Sequence, residues 1–335
     1  MTALATHISA FLREHLPRQR GASQHTTESY AYCYQLLLTF TADKFKKRPS
    51  QIQIEEMDSE LISEFLIHLE TKRGNSARTR NARLAAIHSF FRYLEYRMPT
   101  CLEQARRIHA IPMKRTDQAL VGYLTKDEMN ALLATPDSRT PFGIRDLAML
   151  HLAFCTGLRV SELVGLRLVQ FDDSALPCIH VIGKGRRERV LPLWKDTASV
   201  LRRWINVRPI TGDLQLFVNA SGKAMTRSGF EYILTKYATL AAVEKPSIKA
   251  KRVTPHILRH SCAMHTLQAT GDIRKVSLWL GHSSVQTTET YLRADVTEKL
   301  EALSANGPPI LERGRFTVPD KLMAMLTDIQ KGKIM

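Results

Sequence analysis

The chain has 335 residues and a formal net charge of +16, an excess that attracts polyanions and makes their binding depend on salt. Apolar residues make up 44% of the sequence, which is ample for packed cores, and the length suggests two domains of ordinary size. No apolar run reaches membrane-spanning length and the first residues lack a secretory pattern, so we expect a cytoplasmic protein without a membrane partner.

The first hundred residues predict a series of amphipathic helices. Apolar residues recur at helical spacing in stretches that begin near Ile8 and Tyr30. Asp58 is a suitable N-cap for a third helix, which ends near Gly74, and Ser76 opens a fourth.

The beginning of the fourth helix is basic, with Arg78, Arg80 and Arg83. Cations at a helix N-terminus oppose the helix dipole, and an anionic partner would remove that conflict. A solvated polar face explains the same pattern, so this feature alone leaves both interpretations open.

Residues from about Pro99 to Tyr123 interrupt the helical pattern. Prolines, a glycine and the basic pair Lys114 and Arg115 are typical of a linker between domains. A later break at Gly307-Pro308-Pro309 precedes an apolar patch near the end of the chain. We therefore expect a helical domain, a linker, a second domain and a tail, in this order: 1–110, 111–123, 124–306 and 307–335.

The second domain opens with Thr125 as the N-cap of a helix and Glu128 at the capping-box position. The stretch Ile144–Phe154 is apolar on nearly every face, which predicts a buried helix that ends near Gly157. That ending presents Arg159 on a turn beside the core.

Two short segments, Ile179–Ile182 and Arg189–Leu193, predict strands joined by a turn. Lys184 lies at the tip of that turn. A lysine on a mobile hairpin tip can enter a site as a proton donor, and it can equally serve solubility. The expected fold class is mainly α with a small antiparallel β-sheet (α+β).

The segment that begins at Thr254 carries the most informative pattern. Thr254 is a good N-cap and Pro255 suits the first helical position. His256 and Arg259 then share one face near a helix N-terminus. Backbone N–H groups, the helix dipole and a guanidinium together make that end a ready anion site.

Two further residues extend this site. His282 lies just past Gly281, a predicted helix end, and Tyr291 follows on the next helical segment. A phosphate held by cations with a tyrosine close by suggests covalent phosphoryl chemistry.

Signals for metals and cofactors are weak. His256, His260 and His265 have no carboxylate or cysteine partner at a familiar ligand spacing. The five cysteines are scattered and form no CxxC pair, which is typical of reduced thiols. We therefore expect no metal ion and no cofactor.

Five motifs resemble, in order and in spacing, the motif set of the tyrosine recombinases, the phage-integrase family. They are Thr156-Gly-Leu-Arg-Val-Ser-Glu-Leu163, Gly183-Lys-Gly185, His256-Ile-Leu-Arg-His260, Leu280-Gly-His-Ser-Ser284 and Thr290-Tyr291. The resemblance covers essentially the whole chain. It implies a helical core-binding domain and a catalytic domain that form a C-shaped clamp on DNA.

The resemblance implies that six residues carry the reaction: Arg159, Lys184, His256, Arg259, His282 and Tyr291. Tyr291 would attack the scissile phosphate, which gives a 3′-phosphotyrosyl bond and a 5′-hydroxyl. The two arginines would grip the non-bridging oxygens, and Lys184 would protonate the leaving oxygen. His256 would take up the tyrosine proton or hold the phosphate, to which His282 would donate a hydrogen bond.

The implied partner is double-stranded DNA with specific sites. The residues expected to bind it outside the reaction centre are Arg78, Arg80, Arg83, Lys114 and Arg115. Exchange between two duplexes requires four strand cuts, so one tyrosine per protomer implies a homo-oligomer, a tetramer on two duplexes. The apolar tail would dock on a neighbouring protomer, or it packs on its own domain.

Two other functions fit parts of the pattern. A type IB topoisomerase would use a similar Arg-Lys-Arg-His-Tyr set to relax DNA as a monomer, although the helical first domain favours the recombinase. A DNA-binding regulator with an inactive site is the second alternative, and the six intact positions argue against it. Integration, excision or resolution of DNA would take place in the cytoplasm, at the nucleoid.

Overall fold

The structure is a computed structural model that describes residues 4–116, 121–183, 188–281 and 285–294, together with residues 325, 326 and 330. The chain divides into two compact units, Met1–Ala119 and Leu120–Met335. Each unit buries its own hydrophobic core. Within the described ranges, no helix is both long and apolar enough to cross a membrane.

The first unit is helical. Its elements are α1 (Leu4–Ala10), a π-helical stretch (Phe11–Gln19), α2 (Gln24–Phe45), α3 (Ser59–Thr71), α4 (Ala77–Arg97) and α5 (Leu102–His109). The predicted caps of α3 and α4 are confirmed. Asp58 accepts the Leu61 N–H at 2.7 Å, and Ser76 accepts the Thr79 N–H at 3.3 Å.

Helix α5 lies inside the segment where the sequence predicts a break. That prediction is wrong as far as His109. Only Ala105 and Ile108 of this helix are buried, and so narrow an apolar face gives a weak periodic signal.

The three arginines at the start of α4 have different environments. Arg78 is exposed, whereas Arg83 is half-buried and donates to the Ser29 carbonyl at 3.1 Å. Arg80 is buried, and its Nη1 donates to the Pro112 carbonyl at 2.7 Å. This bond ties the chain after α5 back to α4, which argues against the DNA contact predicted for Arg80.

The second unit combines helices with a small sheet. Its elements are α6 (Lys126–Ala134), α7 (Pro141–Thr156), α8 (Val160–Gly165), β1 (Phe171–Asp172), β2 (Cys178–Ile182), β3 (Glu188–Pro192), α9 (Lys195–Val207), α10 (Arg227–Glu244), α11 (Pro255–Thr270), α12 (Ile273–Leu280) and α13 (Glu289–Ala294). Helix α7 is buried along most of its length, as predicted. It ends at Gly157, whose φ of 60° lies in the left-handed region that favours glycine.

The sheet of the described residues has three antiparallel strands in the order β1-β2-β3. The predicted strand pair is confirmed: Ile179 lies opposite Leu191, and both side chains are buried. The sequence pattern does not predict β1, because two residues are too few to show an alternation. The predicted fold class, mainly α with a small antiparallel sheet, is confirmed.

Candidate active site

The N-terminal turns of α11 position an arginine between two other helix ends. The predicted cap is present, since Thr254 Oγ1 accepts the Ile257 N–H at 3.3 Å. Arg259 is buried, with its Nη1 donating to the Gly157 carbonyl and its Nη2 to the Leu280 carbonyl at 2.8 Å. Both carbonyls lie at helix C-termini, so the negative ends of α7 and α12 hold one guanidinium in place.

Burial, together with the nearby charge of Arg159, lowers the pKa of Arg259 to about 10. The guanidinium therefore keeps its charge at neutral pH. The two arginines are close enough to repel each other, and an anion bound between them would relieve that repulsion.

Glu162 links Arg159 to another cation, Arg189. Its Oε1 accepts from Arg159 Nη1 at 3.0 Å, and its Oε2 accepts from Arg189 Nη2 at 2.8 Å. Burial opposes ionisation of this carboxyl, but hydrogen bonds from Arg189 and Arg159 outweigh burial and lower its pKa. Among the described residues of this cluster, one carboxylate faces three guanidinium groups, so the site attracts anions.

A tyrosine lies beside these arginines on α13. Tyr291 is buried, and its hydroxyl oxygen lies 2.9 Å from Nδ1 of His260. Burial raises the pKa of Tyr291 to about 12. Burial, with the charges of His256 and Arg259, lowers the pKa of His260 to about 4. At neutral pH a phenol thus faces an uncharged imidazole, and the tautomer protonated at Nε2 accepts its hydrogen bond.

Three of the six residues predicted for the reaction come together in the structure. The charges of Arg159 and Arg259 both act on the Tyr291 hydroxyl and favour its ionised form. His256 is exposed one turn before His260 on α11, and the two ring centroids are 6.4 Å apart.

Lys184 and His282 lie outside the described residues. Gly281, which precedes His282, ends α12 with a φ of 63°. A Cβ on Gly281 would lie 3.1 Å from Nη1 of Arg189. His282 therefore follows a residue that adjoins the arginine cluster.

The sequence does not single out Arg189, and it leaves the role of His260 ambiguous. One signal for Arg189 is present in β3, where strand alternation puts it on the same face as the buried Leu191. An arginine at an inward-facing strand position needs a partner, which here is Glu162. No comparable signal marks His260, because its partner lies 31 residues further along the chain.

A buried tyrosine in contact with a histidine and beside clustered arginines suits an enzyme that transfers phosphoryl groups through a covalent tyrosine intermediate. The chain matches the phage integrase family over residues 122–298, and the N-terminal SAM-like domain of phage integrases over residues 8–97. The chain belongs to the phage integrase family.

Curated relatives extend over nearly the whole chain. The integrase/recombinase y4rC of Sinorhizobium fredii is 43% identical over 98% of each chain. The tyrosine recombinase XerC of Pelotomaculum thermopropionicum is 34% identical over 85% of this chain and 92% of that one. Among solved structures, XerH recombinase bound to a palindromic difH substrate has a TM-score of 0.66 at 22% identity, covering 88% of this chain and 84% of that chain. The similarity to XerH shows a shared fold.

Proposed function

We propose that this protein is a site-specific DNA recombinase that cuts and rejoins strands through a 3′-phosphotyrosine. The observation that carries the proposal is the 2.9 Å contact between the Tyr291 hydroxyl and His260, beside the arginines. A covalent tyrosine intermediate divides one difficult step into two and retains the phosphoester bond that rejoining requires. The curated relatives, which are described as recombinases and integrases, support the same function.

In the proposed reaction, Tyr291 Oη attacks the scissile phosphorus while its proton passes to His260 Nδ1. The bond from phosphorus to the 5′ oxygen breaks, and that oxygen takes a proton from Lys184. Arg159 and Arg259 bind the non-bridging oxygens, where negative charge builds in the transition state. A 5′-hydroxyl then attacks the phosphotyrosine and gives its proton to Lys184. The bond from phosphorus to Tyr291 breaks and His260 returns the proton to Tyr291, so the number of phosphodiester bonds is conserved.

His256 and His282 complete the phosphate contacts in this proposal. His256 is exposed at the N-terminus of α11, where the helix dipole favours an anion. His260 makes the contact to Tyr291, so we assign proton uptake to His260. His256 keeps its other expected role, which is to hold the phosphate.

The substitution Tyr291→Phe tests the nucleophile. On a nicked suicide DNA substrate, the wild-type protein should form a complex that survives denaturant, whereas the variant should bind the DNA and form none. Tyr232→Phe is the matched control, since that tyrosine is 72% exposed on α10 and should keep full adduct formation. An adduct that persists in Tyr291→Phe would contradict the proposed mechanism.

We further propose that both domains bind DNA, with residues 1–110 as the core-binding domain, 111–123 as the linker and 124–306 as the catalytic domain. The exposed side chains of Arg78, in the first of these, and of Arg115, in the linker, support a DNA-facing surface. Exposed cations can neutralise phosphates at a much smaller desolvation cost than buried cations.

We propose that four protomers act on two duplexes, because each protomer supplies one tyrosine and four strands must be cut. The second unit has a cavity of about 550 Å³, lined in part by Met129, Leu133, Phe154, Trp194 and Trp279. An amphipathic helix can bury its apolar face in such a groove. The segment 307–335, with its apolar patch, is the proposed occupant, supplied by a neighbouring copy.

Deletion of residues 308–335 tests this assembly. The truncated protein should retain binding to a single site and lose complexes that pair two sites, measured by native gel shift. Leu133→Arg, which places a charge in the cavity, should reproduce the loss. Full recombination by the truncated protein would rule out the tail as an assembly element.

A further inference from the structure

The outer face of the sheet carries a group of metal-ligating side chains that the proposed reaction does not use. Asp172 on β1 lies directly opposite Cys178 on β2, and His180 follows two residues later on the same strand. Side chains alternate along a strand, so Cys178 and His180 project from the face opposite the buried Ile179 and Val181. Directly opposed residues share a face, and the three side chains therefore meet.

The distances between their ligand atoms suit a small cation. Cys178 Sγ lies 3.9 Å from Asp172 Oδ2 and 3.8 Å from His180 Nε2. All three atoms lie within 4.8 Å of one another. A tetrahedral zinc ion, with bonds of about 2.3 Å to sulfur and about 2.1 Å to nitrogen or oxygen, keeps neighbouring ligand atoms roughly 3.5 Å apart. The distances from the sulfur need only a small contraction to reach that value.

A neighbouring backbone group already orients the carboxylate. Asp172 Oδ1 accepts the Ser174 N–H at 3.0 Å, which leaves Oδ2 toward the thiol. The adjacent carboxylate, Asp173, forms an ion pair with Arg202 at 2.6 Å. Outer hydrogen bonds of this kind hold a ligand in place and increase metal affinity.

We propose that Asp172, Cys178 and His180 form a zinc site with its fourth position open to water. Thiolate, imidazole and carboxylate are all ligands of zinc, and three protein ligands with one open position is an established coordination pattern. On binding, the Cys178 thiol releases its proton to solvent and forms a Zn–S bond, while His180 binds as the neutral imidazole. No electrons are exchanged.

Zinc binds the thiolate form of cysteine, so metal affinity should rise with pH. The bound ion would fasten β1 to β2, the strand that leads through Gly183 to Lys184.

We expected no metal ion because His256, His260 and His265 have no carboxylate or cysteine partner at a familiar ligand spacing. The ligands proposed here are brought together by strand pairing, and their spacing along the sequence matches no familiar zinc motif. Only the register of β1 against β2 shows that Asp172 faces Cys178.

Alkylation of the native protein tests the site directly. Cys178 is half-buried and the other four of the five cysteines are buried, so iodoacetamide should modify Cys178 first. In the full-length protein stripped with a chelator, one equivalent of Zn²⁺ should protect Cys178, measured by peptide mass spectrometry. Equal alkylation with and without Zn²⁺ would overturn the proposal.

Cobalt provides an independent optical test. Co²⁺ bound to wild-type protein should give a thiolate-to-cobalt charge-transfer band that Cys178→Ser lacks. His180→Gln and Asp172→Asn should weaken binding at least tenfold, whereas His25→Gln, an exposed histidine of the first unit, should not. The unfolding temperatures of the metal-free variants should match that of the wild type, because Asp172 and His180 are exposed and Cys178 is only half-buried. Cobalt affinity that is unchanged in all three ligand variants would also overturn the site.

Discussion

The acidity of Tyr291 and His260 decides where the tyrosine proton lies. With pKa values of about 12 for Tyr291 and about 4 for His260, the proton stays on the tyrosine in the protein without DNA. A bound phosphate would raise the pKa of His260 through its negative charge, while Arg159 and Arg259 favour the tyrosinate. In the proposed reaction, the substrate would narrow the gap between these two pKa values, and Tyr291 would keep its proton until DNA is bound.

The low pKa of His260 predicts a stability profile. In the unfolded chain His260 titrates near its ordinary value of about 6.5, whereas in the folded protein it stays uncharged down to about 4. The unfolded state therefore binds more protons in this range, and the free energy of unfolding falls as pH drops from about 6.5 to about 4.

His260→Gln should flatten that part of the profile, measured by urea denaturation at successive pH values. His25→Gln, whose side chain is 71% exposed, should keep the wild-type slope. Parallel profiles for His260→Gln and the wild type would show that burial does not lower the pKa of His260.

At the scale of elements, the ends of helices build the arginine site. The carbonyls that hold Arg259 are available because α7 and α12 both stop at glycines in the left-handed region. A Cβ at Gly157 would lie 2.6 Å from Leu280 Cδ2, so this turn has no room for a larger residue. The end of α7 is thus shaped by its packing against α12.

Gly157→Ala should therefore lower the free energy of unfolding by more than the backbone strain alone. The left-handed conformation costs an alanine about 1–2 kcal/mol, and the overlap with Leu280 adds to this. Gly271→Ala is the matched control, with a φ of 61° and no described atom within 4 Å of its Cβ. Urea denaturation should show the larger loss for Gly157→Ala, along with reduced adduct formation as the carbonyl that binds Arg259 shifts. Equal losses would contradict this packing argument.

The net charge of +16 favours contacts with the phosphates of the proposed DNA partner. The structure refines which cations of the first unit are suited to this. Lys114 is exposed but forms an ion pair with Glu70 at 2.9 Å, and Arg80 is buried. Arg78 and Arg115 are exposed and remain the strongest candidates.

The double variant Arg78→Ala/Arg115→Ala should weaken DNA binding and flatten the plot of log K against log salt. Each lost phosphate contact should reduce the slope by about 0.9. Arg106→Ala removes an exposed arginine that pairs with Glu103 on α5 and should leave the slope unchanged. A wild-type slope in the double variant would contradict these contacts and indicate that the basic start of α4 is a solvated polar face.

Short-range sequence patterns account for the local features of this protein. The caps at Asp58, Ser76, Thr125 and Thr254, the buried α7 and the strand pair follow from hydrogen bonds and periodicities that span a few residues. The family resemblance rests on the same kind of information, because its motifs are short runs in a fixed order.

Which of these residues meet depends on how the helices and strands pack. His260 binds Tyr291 across 31 residues, Arg80 turns inward to Pro112, and Asp172 faces Cys178 through strand register. Such contacts depend on how elements pack, and burial then sets the pKa of each group it encloses. Periodicity within one element does not contain that information, so the partner of the proposed nucleophile and the proposed zinc ligands emerge only once the chain is folded.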